Sequence, residues 1–384
     1  MKKMNPQKII AIYPFNEKRH NIYDSTLKAL SKYRLVENNF LKRKADPKLL
    51  SNPILKIFYH KFIRRFISRN DLKFKKEKEP ICDLIFAFNQ IPQTKQNYIL
   101  DLEILTALSG YDYFRLNKKK IQAEFEKENC KAIIVWTNFS YDCLIKNLDC
   151  RKFKNKIHIL PPTIYSNKLK KDYNRKNINL LFVSSLNNPF DFELKGGIIA
   201  LEVYSRLIKK YPHLTFTIRS PIPSKIKKKH SKLKGINLVE KFLSREELNK
   251  LFLESDILLE PIPGITLILE CMNFQIPVII SDFASIIDFV EENETGFVVN
   301  MPQINGDNKN KKEFLKNLQK NYLKLYRIKI DETVINSFVQ KIEKLIKDKD
   351  LKIKMGMKSK NLLETKYSLK NRNKKLLKIV KNSF

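Results

Sequence analysis

The chain has 384 residues, of which 43% are hydrophobic and 11% aromatic, and this is enough for two folded domains with full cores. Because 75 Lys and Arg outweigh 40 Asp and Glu, the net charge is +35, which either attracts polyanions such as nucleic acid or an anionic membrane, or reflects plain lysine enrichment on solvated faces. No apolar run reaches the roughly 18 residues of a transmembrane helix, and the apolar stretch near the start is too short for a secretory signal, so we expect a cytoplasmic protein.

The cysteines show no pattern of a metal site. They form no C-x-x-C pair and have no histidine partner at the spacing of metal ligands. Scattered through apolar segments, they are expected to be small core residues in a reducing compartment, and we expect no structural metal. The five are Cys82, Cys130, Cys143, Cys150 and Cys271.

The N-terminal segment predicts a strand over 8–13, a loop over 14–17 and a helix from about 23 to 33. Further along, residues 52–68 read NPILKIFYHKFIRRFIS and contain no acidic residue. A helix there has an aromatic face and a basic face, and the basic face includes Lys61, Arg64 and Arg65. Such a helix suits the surface of an anionic bilayer, where each basic residue contributes about 1 kcal/mol. Alternatively its aromatic face packs on the N-terminal sheet, and both interpretations stay open.

Two carboxylates follow a predicted strand in the first half. Residues 83–88 and 98–100 predict buried strands, and the second leads into Asp101 and Glu103. Residues two apart in a strand share a face, so these carboxylates could bind sugar hydroxyls or raise each other's pKa. The alternative is a helix start with Asp101 as its N-cap and Glu103 in its first turn.

The first half closes with predicted strands at 131–136 and 157–160, and His158 in the latter is expected to be a core histidine. The polar, basic run 166–177 is the best domain boundary. Beyond it, a strand at 179–184 begins the second half.

Two turns in the second half carry candidate binding residues. The loop after the strand at 179–184 ends in Lys195-Gly196-Gly197 before a helix reaching residue 211, and a lysine beside a helix N-terminus suits a phosphate. A strand at 215–218 ends at Arg219. A further strand at 237–243 precedes Ser244 to Glu247, whose spacing predicts a capping box.

The stretch 256–299 predicts a buried strand, a Pro/Gly turn, a helix, a second strand, another helix and a third strand. Apolar runs that alternate with helices indicate a parallel sheet covered on both faces. In the turn, Gly264 lets the backbone approach a ligand, and the N–H groups of Ile265, Thr266 and Leu267 at the helix start would favour an anion such as a diphosphate. Glu270, one turn further, could accept hydrogen bonds from sugar or ribose hydroxyls.

This stretch resembles the donor-binding region of the GT-B glycosyltransferases, specifically the family 4 retaining enzymes. The matching residues are Leu269-Glu270-Cys271-Met272, Ile276-Pro277-Val278, Ser281-Asp282, Phe289-Val290 and Glu294-Thr295-Gly296. The resemblance covers 157–384 in motifs and the first half in layout. It implies an α/β fold of two Rossmann-like, doubly wound parallel-sheet domains facing a cleft. The N-terminal, acceptor-side domain is expected to span 1–170, with a C-terminal helix at about 368–384 packing back on it. The C-terminal, nucleotide-sugar-binding domain is expected to span 171–367.

The chain differs from the family's sequence motifs at several positions. The family's first glutamate falls on Ile262, with Glu260 the nearest carboxylate, and its clamp arginine falls on Ser185. The early loop has no glycine, and the loop near Ile104 has no histidine. The polar residues that could serve in the early loop are Asn16, Arg19 and His20, of which His20 is expected to be an exposed loop residue rather than a base.

The resemblance assigns roles to the remaining candidates. Lys195 would hold the donor diphosphate with Arg219 as a possible replacement for the missing arginine, Glu270 would position the donor, and Asp101 and Glu103 would stand in for the absent histidine. No metal or other cofactor is expected. The implied donor-binding residues are Gly196, Arg219, Phe242, Leu243, Gly264, Ile265 and Thr266.

The sequence therefore predicts a retaining glycosyltransferase that moves a sugar from a nucleotide-sugar to a glycan or lipid-linked acceptor. An anionic membrane surface is a further expected partner, and nucleic acid is not. The alternative is a degenerate GT-B fold that binds a polyanion or a membrane without catalysis. A third hypothesis keeps the fold and changes the reaction to sugar epimerisation or phosphorolysis.

Overall fold

A computed structural model describes residues 7–13, 21–37, 81–111, 113–175, 177–188, 190–301 and 331–384. Two sets of sequence predictions lie outside these residues. They are the loop with Asn16, Arg19 and His20, and the basic segment 52–68 with Lys61, Arg64 and Arg65.

The described residues divide into two compact units. Unit 1 holds those up to Thr163 together with Leu369–Phe384, and unit 2 holds Ile164 to Met301 and Asp331 to Ser368. The strands are β1 (Ile9–Tyr13), β2 (Arg34–Glu37), β3 (Leu84–Phe88), β4 (Tyr98–Leu102), β5 (Cys130–Val135), β6 (Ile157–Ile159), β7 (Asn179–Val183), β8 (Thr215–Arg219), β9 (Ile236–Leu238), β10 (Ile257–Leu259), β11 (Val278–Ser281) and β12 (Gly296–Val299). The helices are α1 (Asn21–Leu30), α2 (Lys118–Glu126), α3 (Asn138–Asn147), α4 (Asp191–Leu194), α5 (Gly197–Lys210), α6 (Ser224–Lys229), α7 (Arg245–Leu253), α8 (Ile265–Asn273), α9 (Glu332–Lys347), α10 (Lys349–Glu364) and α11 (Leu369–Lys381).

In unit 1, the described strands form a six-stranded parallel sheet in the order β2-β1-β3-β4-β5-β6. All residues of β3 and β4 are buried, as expected for central strands of a sheet covered on both faces. The C-terminal helix α11 packs against α1 through Leu376 and Val380, which belong to the core on that side of the sheet. His158 is only half-buried, and not the core residue expected, because β6 is the edge strand.

In unit 2, the described strands form a second six-stranded parallel sheet in the order β12-β11-β10-β7-β8-β9. Within unit 2, the chain first forms β7 and then adds β8 and β9 on one side of it. It next crosses to the other side of β7, where it forms β10. The strand order therefore reverses between β7 and β10. In open α/β sheets, ligands bind beyond the carboxyl ends of the strands at such a reversal.

The strands and the first helix expected within 256–299 are confirmed as β10, α8, β11 and β12, and the predicted α/β class with two doubly wound parallel sheets is confirmed. The second helix expected there is present between β11 and β12 as a 3₁₀ helix, Ala284–Phe289, rather than an α-helix. The core of unit 2 contains rings from several elements, including Phe182, Phe192, Phe216 and Phe338.

The amino end of β10 anchors the segment that opens unit 2. Asp256 is buried and accepts hydrogen bonds from Arg175 Nη2 and from the Asn179 N–H, each at 2.9 Å. Lys352 Nζ lies 3.5 Å from the other carboxylate oxygen. Nearby, Lys171 donates to the carbonyl of Ser255, and burial lowers the pKa of Lys171 to about 8. One carboxylate thus balances several cations that folding has removed from water.

Candidate active site

Two turns meet at the carboxyl ends of β7 and β10, where the strand order of unit 2 reverses. The first turn contains Lys195 and Gly196 between α4 and α5, and the second contains Pro261 and Ile262 after β10. The N–H of Ile262 donates to the carbonyl of Lys195 at 3.2 Å, which ties the two turns together. Gly196 has φ +83°, and a Cβ there would lie 2.8 Å from the Pro261 ring. The fold itself therefore requires a glycine at this position.

Gly264, in contrast, is not required by the packing. Its φ is −77°, and a Cβ on it would meet no atom of the described residues within 4 Å. It is the N-cap of α8, and no side chain caps the helix there. The space in front of this residue is open, so the start of α8 can be approached closely by a ligand.

The first backbone N–H groups of α8 are only partly used. Leu267 N donates to the carbonyl of Gly264 at 3.0 Å, so it is not among the open donors predicted for this turn. Ile265 N and Thr266 N have no backbone acceptor within the part of the chain that the structure describes. Two unpaired donors at the positive end of a helix dipole suit an anion.

Lys195 supplies a positive charge in the turn that is linked to the turn before α8. Its side chain is half-buried at the end of α4. Its ammonium makes no hydrogen bond or ion pair at contact distance with any residue in the described ranges, and its charge acts on the buried Glu260. The charge is therefore available to a ligand that carries phosphate.

Glu260 is fully buried beneath the turn. Its Oε2 accepts a hydrogen bond from the Val183 N–H at 3.0 Å, while Oε1 has no partner among the described residues. Burial raises the pKa of Glu260 well above its ordinary value, opposed by the charge of Lys195 and by the Val183 bond. Ile262, where the family has its first glutamate, is also buried. Neither position thus presents an exposed carboxylate.

Glu270 is held by an arginine that the sequence analysis did not identify. Arg245 Nη1 donates to Glu270 Oε1 at 2.6 Å, and Nη2 donates to Oε2 at 3.0 Å. The pair raises the pKa of Arg245. One signal was present in the sequence: Arg245 opens α7 directly after the capping residue Ser244, where the helix dipole disfavours a cation. A cation in that position indicates a partner elsewhere.

Arg219 lies close to the position where the family has its clamp arginine. It ends β8, its backbone pairs with Val183 of β7, and its Nη1 donates to the carbonyl of Ser184 at 3.2 Å. The guanidinium is half-buried, and burial lowers its pKa. Ser185 itself donates its N–H to Asp191 at 2.7 Å. Arg219 is thus next to the reversal point, although it is held by the backbone.

The loop between β9 and α7 carries Phe242 and Leu243, which were predicted to contact the nucleotide base of a donor. Phe242 is 67% exposed and Leu243 is half-buried. The predicted capping box is confirmed, since Glu247 N donates to Ser244 Oγ at 3.2 Å and Ser244 N donates to Glu247 Oε2 at 2.8 Å. The box fixes the end of this loop at the start of α7.

In unit 1, Asp101 is buried at the carboxyl end of β4. Its carboxylate accepts a hydrogen bond from Trp136 Nε1, and Arg372 of α11 lies close enough to act on its charge. Burial raises the pKa of Asp101 to about 6, opposed by Arg372 and the Trp136 bond. The alternative role as a helix N-cap is wrong, because the 3₁₀ turn that follows begins after Ile104 without a side-chain cap.

Glu103 has more polar and more open surroundings than Asp101. Its Oε2 accepts a hydrogen bond from Tyr111 Oη at 2.5 Å, and its side chain is half-buried. Asn89 Oδ1 accepts the Glu103 N–H at 2.7 Å, and Ser140 Oγ donates to the Glu103 carbonyl at 2.6 Å. The charge of Glu103 contributes to the raised pKa of Asp101. The two carboxylates thus influence each other, as the strand spacing predicted, but only Glu103 is near solvent.

The described residues contain no group of three or more His, Cys, Asp or Glu side chains placed to hold a metal ion. Of the cysteines, Cys82 is half-buried and the other four are buried, and all five are free. Across the described ranges, no helix is both long enough and apolar enough to cross a membrane.

Comparison with known proteins shows which proteins this chain resembles. Residues 177–317 match the family model described as glycosyl transferases group 1. This stretch is therefore similar to the group 1 glycosyltransferases, and the chain has the GT-B fold. No curated protein sequence matches it.

Solved structures share the fold at low identity. A glycosyltransferase from Rickettsia africae ESF-5 has 16% identity, a TM-score of 0.58, and coverage of 99% of this chain and 100% of that one. Alr3699/HepE of Anabaena, solved with UDP-glucose, has 11% identity, a TM-score of 0.57, and coverage of 98% and 99%. TarM of S. aureus has 16% identity and a TM-score of 0.53, with 77% of this chain covered. The match spans about half the length of TarM, 54%.

The candidate residues lie in two groups, one in each unit. In unit 2, the group 1 glycosyltransferase match spans the reversal point with Lys195, Gly196, Arg219, Gly264 and the start of α8. The unit also brings Glu270 to the loop that holds Phe242 and Leu243, through Arg245. In unit 1, Asp101 and Glu103 lie at one strand end.

Proposed function

We propose that this chain is a retaining glycosyltransferase that transfers a sugar from a nucleotide-sugar donor to a glycan or lipid-linked acceptor. The observation that carries the proposal is the pair of linked turns at the strand reversal of unit 2. The turn that carries Lys195 is tied to the turn before α8, where, among the described residues, two N–H groups have no backbone acceptor and nothing lies within 4 Å of a Cβ on Gly264. A diphosphate has the charge and the acceptor oxygens that this arrangement can bind.

The proposed reaction needs charge stabilisation more than a strong base. The acceptor hydroxyl oxygen forms a bond to the anomeric carbon while the bond from that carbon to the phosphate oxygen breaks. The acceptor's proton goes to the departing phosphate, and the sugar keeps its configuration. Lys195 and the N–H groups of Ile265 and Thr266 would stabilise the charge that builds on the leaving diphosphate. We therefore expect no metal or other cofactor in the reaction.

The remaining unit 2 residues would bind the rest of the donor. Glu270 would accept hydrogen bonds from sugar or ribose hydroxyls, and the backbone at Phe242 and Leu243 would contact the base. Arg219 would add positive charge near the diphosphate. HepE was solved with UDP-glucose, which supports a nucleotide-sugar as the donor class without fixing the base or the sugar.

In unit 1, Glu103 is the better candidate than Asp101 for contact with the acceptor. Asp101 is 2% exposed and already serves Trp136, whereas Glu103 is half-buried beside Tyr111. The S. aureus TarM variant was solved with UDP and α-GlcNAc-glycerol, which supports a glycan class of acceptor for this fold.

A lipid-linked acceptor on an anionic membrane is the finer form of the proposal. It rests on the basic, aromatic sequence of residues 52–68, and on the +35 charge of the chain. The test is sedimentation with vesicles that contain anionic lipid, comparing wild type with a variant carrying both Arg64→Glu and Arg65→Glu. Full sedimentation of the variant would remove the membrane contact from the proposal.

A second candidate function is a non-catalytic GT-B protein that binds a polyanion or a membrane. The observation in its favour is the buried Ile262 at the position of the family's first glutamate, with no exposed carboxylate in its place. Salt-dependent binding of DNA or vesicles without any nucleotide binding would support this alternative.

The experiment that tests the proposed function is a thermal-shift panel of UDP, GDP, ADP and CDP with their glucose conjugates. A ligand at about a hundred times its dissociation constant stabilises the folded state by about 2.7 kcal/mol, which raises the melting temperature measurably. We expect one nucleotide family to stabilise the wild type, and Glu270→Ala to weaken the shift. No shift with any nucleotide would favour the non-catalytic alternative. Product analysis with and without an acceptor then separates transfer from epimerisation and phosphorolysis.

A further inference from the structure

One surface segment of unit 2 has lysine at six of its eleven positions. This lysine segment comprises residues 224–234, SKIKKKHSKLK, and includes α6. It contains no acidic residue, no arginine, and no phenylalanine, tyrosine or tryptophan. It also lies within a longer stretch, 203–239, that has no aspartate or glutamate. Nothing within this part of the chain therefore neutralises its charge.

Apolar side chains hold the lysine segment on the core of unit 2. Ile226 and Leu233 pack against the core cluster of that unit. Tyr204 Oη donates a hydrogen bond to the carbonyl of Lys234 at 2.8 Å, and Gly235 leads into β9 with φ +75°. Because the apolar side chains pack on the core, the lysines between them remain at the surface. The segment is thus a fixed part of the fold.

Most positive charges of the lysine segment are unpaired. Lys227 is half-buried and forms an ion pair with Glu240. The other lysines of the segment are exposed, and they make no ion pair with the residues that the structure describes. These exposed lysines are Lys225, Lys228, Lys229, Lys232 and Lys234.

Basic residues of α5, earlier in the same region of the sequence, are paired instead. Arg206 Nη2 lies 2.8 Å from Glu332 Oε2 and 3.5 Å from Glu202 Oε1. Lys210 Nζ lies 2.9 Å from Glu343 Oε1. Acidic residues of α9 therefore reach α5, whereas no described acidic residue reaches the exposed lysines of the lysine segment. The fold leaves several like charges together at one surface, which attracts a polyanion.

The composition of the lysine segment favours a lipid bilayer over a nucleic acid. Nucleic acids are bound through planar arginine forks and by stacking of bases on aromatic rings, and the segment contains neither residue type. Lysine is a flexible point charge, and clusters of roughly four to eight basic residues bind anionic lipid headgroups. The lysine segment falls within that range.

We propose that the lysine segment is a docking surface for an anionic lipid bilayer, which it contacts through ammonium groups on the headgroup phosphates. The segment is separate in the chain from residues 52–68 and from the linked turns that carry Lys195. The inference therefore goes beyond the proposed function, and it gives unit 2 a membrane contact of its own.

The test is sedimentation of the full chain with vesicles of phosphatidylglycerol and phosphatidylcholine, and with vesicles of phosphatidylcholine alone. The lysine-segment variant carries Lys228→Glu, Lys229→Glu and Lys232→Glu, which change exposed side chains without an ion pair among the described residues. Melting temperatures and nucleoside diphosphate binding are measured on the same proteins.

A matched control variant has the same change of charge elsewhere. It carries Lys370→Glu, Lys374→Glu and Lys375→Glu at exposed positions of α11. Because the two variants have equal net charge, a difference between them reports where the charge lies and not how much of it there is.

We expect the wild type to sediment with the anionic vesicles and not with phosphatidylcholine alone. The lysine-segment variant should bind anionic vesicles roughly a hundredfold more weakly, since three attractive contacts are lost, and the control variant should lose less than about tenfold. The melting temperatures should stay close to that of the wild type, because the changed side chains are exposed.

A second measurement needs no variant. The wild type is acetylated with a lysine-reactive reagent in the presence and absence of anionic vesicles, and the modified positions are read by mass spectrometry. We expect the vesicles to protect Lys228, Lys229 and Lys232 from acetylation and to leave Lys370 and Lys375 reactive.

Equal weakening in the two variants would show that only the overall charge acts, and it would overturn the inference. Absence of binding to anionic vesicles by the wild type, or absence of protection in the lysine segment, would do the same. Tighter binding of a random DNA duplex than of anionic vesicles, lost in the lysine-segment variant, would assign the surface to nucleic acid instead. Vesicle binding by the lysine segment without any nucleotide binding would support the inference and overturn the proposed function, so the two failures are distinguishable.

Discussion

Charged and polar groups lie at the carboxyl edges of both sheets, but they differ in how far other residues of the fold already bind them. In unit 1, Asp101 is buried, its carboxylate accepts a hydrogen bond from Trp136, and the charge of Arg372 acts on it, so it is already engaged within the fold although burial raises its pKa. In unit 2, the Lys195 ammonium has no contact partner, and the first N–H groups of α8 have no acceptor, among the described residues. Polar residues after parallel strands therefore indicate a ligand site only where their charge or hydrogen-bonding capacity is left unmet.

The same contrast holds along β10 in unit 2. At its amino end, Asp256 accepts a hydrogen bond from Arg175 and lies 3.5 Å from the ammonium of Lys352, so its charge is balanced within the fold. At its carboxyl end, Glu260 has one oxygen without a partner in the described part of the chain, next to Lys195. One end of the strand stabilises the fold, while the other lies under the candidate site.

The largest expected effect is on the free energy of unfolding, and it tests the Asp256 cluster at the amino end of β10. Asp256→Ala leaves buried cations without their counter-charge, so the free energy of unfolding should fall by about 3 to 5 kcal/mol. Asp149→Ala, which removes an exposed pair with Arg151, is the control and should leave stability unchanged within error. Urea titration measures both. A loss no larger than that of the control would show that the cluster is not stabilising.

The next effect concerns the buried carboxylate of unit 1. Burial raises the pKa of Asp101 from 3.8 to about 6. The folded state therefore holds the proton more tightly than the unfolded chain, and this contribution to stability is lost as pH rises from about 4 to about 6. Asp101→Asn removes the penalty, so its free energy of unfolding relative to wild type should increase by roughly 2 to 4 kcal/mol across that window.

Urea unfolding at a series of pH values measures this difference. Asp149→Asn is the control, because hydrogen bonds from Arg151 lower the pKa of Asp149 to about 2 and its difference from wild type should be flat over the same window. A flat difference for Asp101→Asn as well would contradict the raised pKa of the buried Asp101 carboxylate.

A smaller effect compares the two glycines of the linked turns. Gly196→Ala forces a side chain to φ +83° and against Pro261, so stability should fall by about 1 to 3 kcal/mol. Gly264→Ala meets no atom and should cost no more than about 1 kcal/mol. It should nevertheless weaken nucleoside diphosphate binding, because the new methyl group would occupy the open space before α8. Thermal melts and titrations on both variants decide this, and the reverse order of stability losses would contradict the distinction.

Much of the fold could be predicted because its signals are local. Apolar runs of four to six residues alternate with helices, and this pattern indicates parallel sheets regardless of distant contacts. The turn chemistry at Gly196 and Gly264 and the capping box at Ser244 were likewise readable from neighbouring residues. The helix between β11 and β12 was also predicted, but the sequence did not show that it is a 3₁₀ helix.

The electrostatic partners could not be predicted because they lie far apart in the chain. Glu270 pairs with Arg245 across α7 and α8, and Asp101 meets Arg372 from the C-terminal helix. Neither pairing has a local spacing signal. The sequence could therefore name carboxylates and cations as candidates, but not show which ones the fold satisfies.

The most direct test of the central claim is calorimetric titration of a nucleoside diphosphate into wild type, Lys195→Ala and the exposed control Lys209→Ala. A diphosphate bound at the linked turns predicts that Lys195→Ala weakens binding by roughly tenfold or more, as expected for loss of a charged contact, while its melting temperature and the Lys209→Ala affinity stay unchanged. Equal affinity of wild type and Lys195→Ala, or no binding by either, would contradict the placement of the donor diphosphate at these turns.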